Sequence, residues 1–239
     1  MLKACLNGNR TRTEHPALPV TVSEITRDAA AVFAAGADAV HVHVKDAHGA
    51  DTLAATALGA VLRAVRAAAP GLPVGVTTGA WAVRDAGARV AAIQSWATLP
   101  ELPDFASVNW HEDGADEVAG ALLDLGVGVE AGLWHVAAAE AWAVSPRRDR
   151  CLRVLLELPG DLPAESVEDE ARRLLEVVDG RLPVLLHGED SSAWPALVLA
   201  GGWGLSTRVG LEDVLWLPDG SKAPDNLALL RAAQALLAR

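Results

Sequence analysis

The 239-residue sequence has no tyrosine, two phenylalanines, one methionine and two cysteines. Two thiols are too few for a disulfide framework, and Cys5 and Cys151 both lie in apolar runs. That pattern predicts buried, reduced cysteines in a cytoplasmic protein. Long hydrophobic runs are missing too. Met1-Leu2-Lys3-Ala4-Cys5 passes at once into the polar Asn7-Gly8-Asn9-Arg10, so neither a signal-peptide core nor a membrane span is expected. Basic charge is scarce: 20 Lys and Arg face 31 Asp and Glu, a net charge of −11. That balance argues against nucleic acid or an anionic membrane surface as partner. Walker, GxSxG and CxxC motifs do not occur, and no GxGxxG follows the first apolar run.

What is present is a chain that is 51% hydrophobic and 21% charged, enough apolar matter for a large core and too much for disorder. Short apolar runs alternate with Ala/Leu-rich segments of helical period. The strands expected are Leu2–Leu6, Ala39–Val44, Pro73–Thr77, Phe105–Asn109, Val127–Ala131, Cys151–Leu156, Pro183–His187 and Thr207–Leu211. Most lack polar alternation, as strands covered on both faces do. The helices expected between them are Thr21–Ala35, Ala55–Ala69, Ala86–Trp96, Asp116–Leu125, Val136–Val144, Ala164–Val178, Ser192–Ala200 and Asp225–Leu237. Eight strand–helix units of about 30 residues, with no linker between them, predict an α/β fold with one (β/α)8 TIM-barrel domain over residues 1–239. Active residues then belong at the C-terminal ends of the strands. Asn7, Asn9, His41, His43, Thr77, Thr78, Gly79, Ser107, Asn109, Glu130, Glu157, His187, Gly188, Glu189, Arg208, Glu212 and Asp213 fall there.

His41-Val42-His43-Val44 is the sharpest local signal. Residues two apart in a strand share a face, so both imidazoles enter the barrel mouth, where they suit zinc or a similar divalent cation. Catalytic zinc takes three protein ligands, and Glu212 in Arg208-Val209-Gly210-Leu211-Glu212-Asp213 is the best third. The adjacent Asp213 is then free to handle protons. His187 is read as a fourth ligand, a substrate hydrogen-bond donor or a satisfied core histidine. Glu130, taken as the end of strand 5, is read as a substrate contact.

HVHV on the second strand, TTGA on the third, SVN on the fourth, RVGLED on the eighth and the opening NGNRTRTEHPALPVT together resemble the β-keto acid cleavage enzymes, in order along nearly the whole chain. The resemblance implies a zinc-dependent (β/α)8 acyltransferase that condenses a β-keto acid with acetyl-CoA and cleaves the adduct to acetoacetate and a new acyl-CoA. It also implies a homo-oligomer, a tetramer. Carried over, His41, His43 and Glu212 hold the zinc, Asp213 is the general base and Arg208 positions it. Thr77 stands where the family often has serine, and Ser107 and Asn109 are pocket residues. Asn9 replaces a glutamate suited to an amino substrate, which points to a neutral or more polar keto acid. Lys45 replaces an arginine. Gly132 replaces the second acid of a Glu-x-Glu on strand 5, leaving Arg208 one partner short. The competing readings are a zinc barrel hydrolase or aldolase and a non-catalytic small-molecule binder. Amidohydrolases place HxH on the first strand and end on a lone Asp, which disfavours the hydrolase.

Overall fold

The computed structural model describes residues 1–238. Among these residues, eight parallel strands alternate with eight α-helices. The first half of the chain contains β1 (Leu2–Cys5), α1 (Val22–Ala34), β2 (Ala39–Val42), α2 (Ala55–Ala68), β3 (Val74–Thr77), α3 (Ala86–Ser95), β4 (Phe105–Asn109) and α4 (Ala115–Asp124). The second half contains β5 (Gly128–Leu133), α5 (Val136–Ala143), β6 (Arg153–Leu158), α6 (Val167–Val177), β7 (Val184–Gly188), α7 (Ala193–Gly202), β8 (Thr207–Val209) and α8 (Asn226–Leu237). From β1 to β7 each strand pairs with the next, and β1 also pairs with β8. The remaining gap, between β7 and β8, is bridged where Leu186 N donates to Ser206 O at 2.9 Å and Thr207 Oγ1 to Leu186 O at 2.8 Å. The result is the expected (β/α)8 barrel. No helix among the described residues is long and apolar enough to cross a membrane.

Strand register sorts the side chains. Cys5 aligns with His41, His41 with Gly75, Thr77 with Ser107, Ser107 with Glu130, Glu130 with Arg153 and Glu157 with His187. With the period of two, this set lines the barrel interior. The alternate residues, such as Ala4, Val40, Val42, Val76, Val108, Val129, Val154 and Leu186, join the apolar layer under the helices. Helix starts follow local chemistry. Thr21 and Glu24 form a capping box on α1, and Asp85 and Asp225 cap α3 and α8.

Two strands run later than the sequence pattern implies. β5 continues through Gly132 to Leu133, and β6 starts at Arg153, after a 3-10 turn over Arg148–Arg150. Glu130 is therefore midway along its strand, and the expectation that it ends strand 5 at the rim is corrected. Its carboxylate is fully buried, 2.6 Å from Lys3 Nζ and 3.2 Å from Arg153 Nε. Beneath that triad the Phe105 ring faces Lys3 Nζ at 5.3 Å and the Arg153 guanidinium at 5.7 Å. Gly132 is accepted in the strand because a Cβ there would collide with Oε1 of Glu157. The sequence pattern likewise places the start of the sixth helix too early: Ala164–Ser166 is a 3-10 turn.

Candidate active site

His43 is fixed from three sides. Its backbone is pinned by Asn7, whose Oδ1 accepts from His43 N at 2.8 Å while Nδ2 donates to His43 O at 2.9 Å. Its Nδ1 meets Asp51 Oδ2 at 2.8 Å, and Trp81 stacks on the ring at 5.8 Å between centroids. With Nδ1–H donating to Asp51, the Nε2 lone pair faces Glu212 Oε2 at 3.8 Å. Burial favours the neutral form of Asp51, but the hydrogen bond from His43 and the charge of Lys45 outweigh it, so its carboxyl sits below the usual range. Lys45 bonds to the same Asp51 and to Gly8 O.

His41 is 1% exposed, and its Nδ1 has no hydrogen-bond partner. Burial, then the neighbouring His43, pushes its pKa well below the ordinary histidine value, so the ring is neutral and free to ligate. Glu212 Oε1 accepts from Arg208 Nη2 at 3.0 Å, and its buried Oε2 is unpartnered. Gly8, at φ +57°, lies against the Glu212 side chain where any Cβ would intrude. The ligand atoms of His41, His43 and Glu212 all fall within 4.8 Å of one another. Orphaned lone pairs converging this closely fit a divalent cation with an N2O donor set. Cys5, Glu212 and Asp213 also meet within 4.8 Å. Burial pushes the Cys5 thiol up, away from the thiolate a metal requires.

Asp213 is 1% exposed. Its Oδ1 accepts from Arg208 Nε at 3.1 Å and Nη2 at 2.8 Å, and its Oδ2 is buried without a partner. Burial raises its pKa against the pull of Arg208 and His187. One guanidinium thus bridges Asp213 and Glu212. His187 Nε2 lies 3.0 Å from Glu157 Oε2 and its Nδ1 lies 3.8 Å from Asp213 Oδ1. Burial, then the Arg208 charge, keeps this imidazole neutral.

A cavity of about 360 Å³ opens above these groups. Of the residues expected from sequence, Asn9, His41, His43, Thr77, Ser107, Asn109, Arg208 and Glu212 line it. Asp213 and His187 adjoin it through the lining residues Arg208 and Glu157, and Glu130 lies apart from it. Thr77 Oγ1 accepts from Gly79 N at 3.1 Å, which leaves its hydroxyl hydrogen free. Glu157 and Glu189, expected at the ends of strands 6 and 7, line the cavity too. The sequence reading missed Arg10, Trp81, Trp134 and Asp190 in the lining, and Asp51 behind it. Arg10 was legible in the first polar run. Asp51 and Trp81 sit in loops with no spacing signal.

A sequence profile described as β-keto acid cleavage enzyme matches residues 1–121 and 166–239, most of the chain. The chain belongs to the β-keto acid cleavage enzyme family. A relative from Fusobacterium nucleatum subsp. nucleatum, named 3-keto-5-aminohexanoate cleavage enzyme, is 32% identical over 80 residues, covering 33% of this chain and 29% of its own. Among solved structures, ObcA in its apo form superposes with a TM-score of 0.67 at 19% identity, over 92% of this chain and 61% of its own. A ternary complex of ObcA with a C4-CoA adduct and oxalate gives 0.67 at 18%, over 92% and 63%. The 3-dehydroquinate dehydratase of Geobacillus kaustophilus gives 0.60 at 10%, over 99% and 89%. These likenesses bear on the barrel alone. The family member described here spans under two thirds of the ObcA chains and under a third of the curated relative.

Proposed function

We propose that this protein is a zinc-dependent acyltransferase that condenses a β-keto acid with acetyl-CoA and cleaves the adduct to acetoacetate and a new acyl-CoA. The observation that carries the reading is the junction at Arg208, which ties the one unliganded carboxylate edge of a His41–His43–Glu212 donor set to a buried Asp213 with a free oxygen. A divalent cation held by His41, His43 and Glu212 supplies Lewis-acid polarisation of the keto acid's oxygens.

The chain's own groups do the rest. Asp213 Oδ2 takes a proton from the carbon between ketone and carboxylate. Burial raises this carboxyl towards the working pH, where a general base is most effective. Arg208 holds Asp213 through Oδ1, so the free oxygen is the one that reacts, and its charge offsets the negative charge that develops on the substrate. Thr77, Ser107 and Asn109 form the polar wall of the cavity and bind substrate oxygens. Arg10 stands at the cavity with Nε on Glu212 O at 3.0 Å and Nη2 on Asp190 Oδ1 at 2.7 Å, a local cation suited to the anionic CoA.

The assignment separates metal binding from proton transfer. His41→Ala and His43→Ala lose bound zinc, measured by atomic emission on dialysed protein, whereas Asp213→Asn keeps zinc and loses at least about a hundredfold in turnover. Zinc retained in both histidine variants overturns the ligand set.

A further inference from the structure

The cavity has two unlike walls. Strands β2 and β6 are four apart in an eight-stranded ring and so face each other across the barrel. The metal-binding histidines stand on and just beyond β2, and Glu157 stands near the end of β6. A keto acid held by its ketone and carboxylate at His41, His43 and Glu212 therefore sends its remote end towards Glu157.

Glu157 is built into that place. It is 3% exposed yet lines the cavity. Its Oε2 is engaged by His187 Nε2 at 3.0 Å, while Oε1 has no hydrogen-bond partner among the described residues. Oε1 occupies the space above Gly132, where a Cβ would collide with it and approach Asn109 Oδ1 at 2.7 Å. Asn109 does not serve Oε1: its Nδ2 donates to Glu112 Oε1 at 2.9 Å, and the atom it brings over Gly132 is Oδ1, an acceptor that takes Trp134 Nε1 at 3.2 Å. The chemistry of Oε1 does not depend on where the proton of the pair resides. With Glu157 ionised, His187 Nε2–H donates to Oε2. With Glu157 protonated, its Oε2–H donates to Nε2. In both states Oε1 offers only lone pairs to the cavity.

We propose that Glu157 is a specificity-determining substrate contact: Oε1 accepts a hydrogen bond from an uncharged hydroxyl or amide at the end of the keto acid remote from its carboxylate. The proposal rests on the β-keto acid reading above and narrows it to a substrate class. An alkyl end leaves a buried acceptor unpaired, and a carboxylate end meets a lone pair with a lone pair. An ammonium end gains less than a bare acidic wall would give. The buried Arg208, which lines the same cavity, and Lys3 act on Glu157 with their positive charge and oppose a second cation there.

The test measures binding apart from turnover. Three β-keto acids of equal length, ending in methyl, hydroxymethyl or aminomethyl, are titrated calorimetrically into zinc-loaded protein without acyl-CoA. The hydroxyl-ended acid is expected to bind about tenfold more tightly than the methyl-ended one. Glu157→Leu removes that preference without weakening the methyl-ended acid. Glu157→Gln keeps it, since its amide oxygen still accepts, and Gly132→Ala reduces it by displacing Oε1. Equal binding by the wild type, tightest binding of the aminomethyl acid, binding of none of the three, or an undiminished preference in Glu157→Leu overturns the proposal. Parallel assays with acetyl-CoA separate the two claims. A hydroxyl preference without acetoacetate sinks the cleavage reading alone, and acetoacetate without the preference sinks this one alone.

Discussion

At His43 each ring nitrogen has one task. Nδ1 donates to Asp51, and Nε2 is left to face Glu212. Asp51 also accepts from Trp81 Nε1 at 2.8 Å, so the acid fixes both the imidazole and the ring stacked on it. A carboxylate behind a metal-binding histidine sets its tautomer and raises its basicity, and losing it typically costs ~10–100-fold in metal affinity. Asp51→Ala is accordingly expected to weaken zinc binding by about that factor in competition with a chromophoric chelator, with the fold intact by circular dichroism. Unchanged affinity would remove Asp51 from the site. The HxH pair was readable from sequence because period two puts both rings on one face whatever the exact strand ends. Asp51 was not, because its approach depends on a turn in which Asp46 N donates to Ala50 O at 2.8 Å and brings the chain back on itself.

Between elements, Asn226 at the start of α8 joins the ends of two strands to α1. Its Oδ1 accepts from Leu211 N at 2.7 Å, and its Nδ2 donates to Leu6 O at 2.7 Å and to Asp28 Oδ2 at 2.6 Å. The turn that carries Glu212 and Asp213 hangs from this contact. Burial, only partly offset by Asn226, raises Asp28 from 3.8 to about 6. A carboxyl raised on folding binds its proton more tightly in the native state. Its contribution to stability is therefore present below the unfolded value and lost as pH rises through the folded one. Asp28→Asn keeps the acceptor and drops the charge. At pH 8 it should be more stable than the wild type by ~1–2 kcal/mol in urea unfolding, with no gain at pH 4. A gain of equal size at both pH values would contradict the assignment. Element positions were largely legible from apolar runs and caps. The shifts at β5 and β6 were not, because Gly132 inside a strand is explained only by Glu157 from the next strand.

For the whole molecule, the barrel axis is divided into layers with different work. The lower layer is the Lys3–Glu130–Arg153 triad over Phe105, and the upper layer is the cavity with its converging donors. Glu130 belongs to the first. Removing one partner leaves buried cations uncompensated, so Glu130→Ala should cost ~3–5 kcal/mol of stability, while Glu130→Leu with Lys3→Met recovers much of it. Chemical denaturation decides the point, and a fully stable Glu130→Ala variant would refute the structural role. No pattern within strand 5 told the two layers apart, because a buried acid in a strand reads the same wherever the register puts it.

The central claim joins the upper layer to a reaction. Zinc-loaded protein is incubated with acetyl-CoA and a panel of β-keto acids, and products are followed by mass spectrometry. Acetoacetate and a new acyl-CoA appearing in equal amounts, dependent on both metal and acetyl-CoA, is the result expected. Acetoacetate absent with every acid, while zinc remains bound and hydroxyl-ended acids bind, would contradict it.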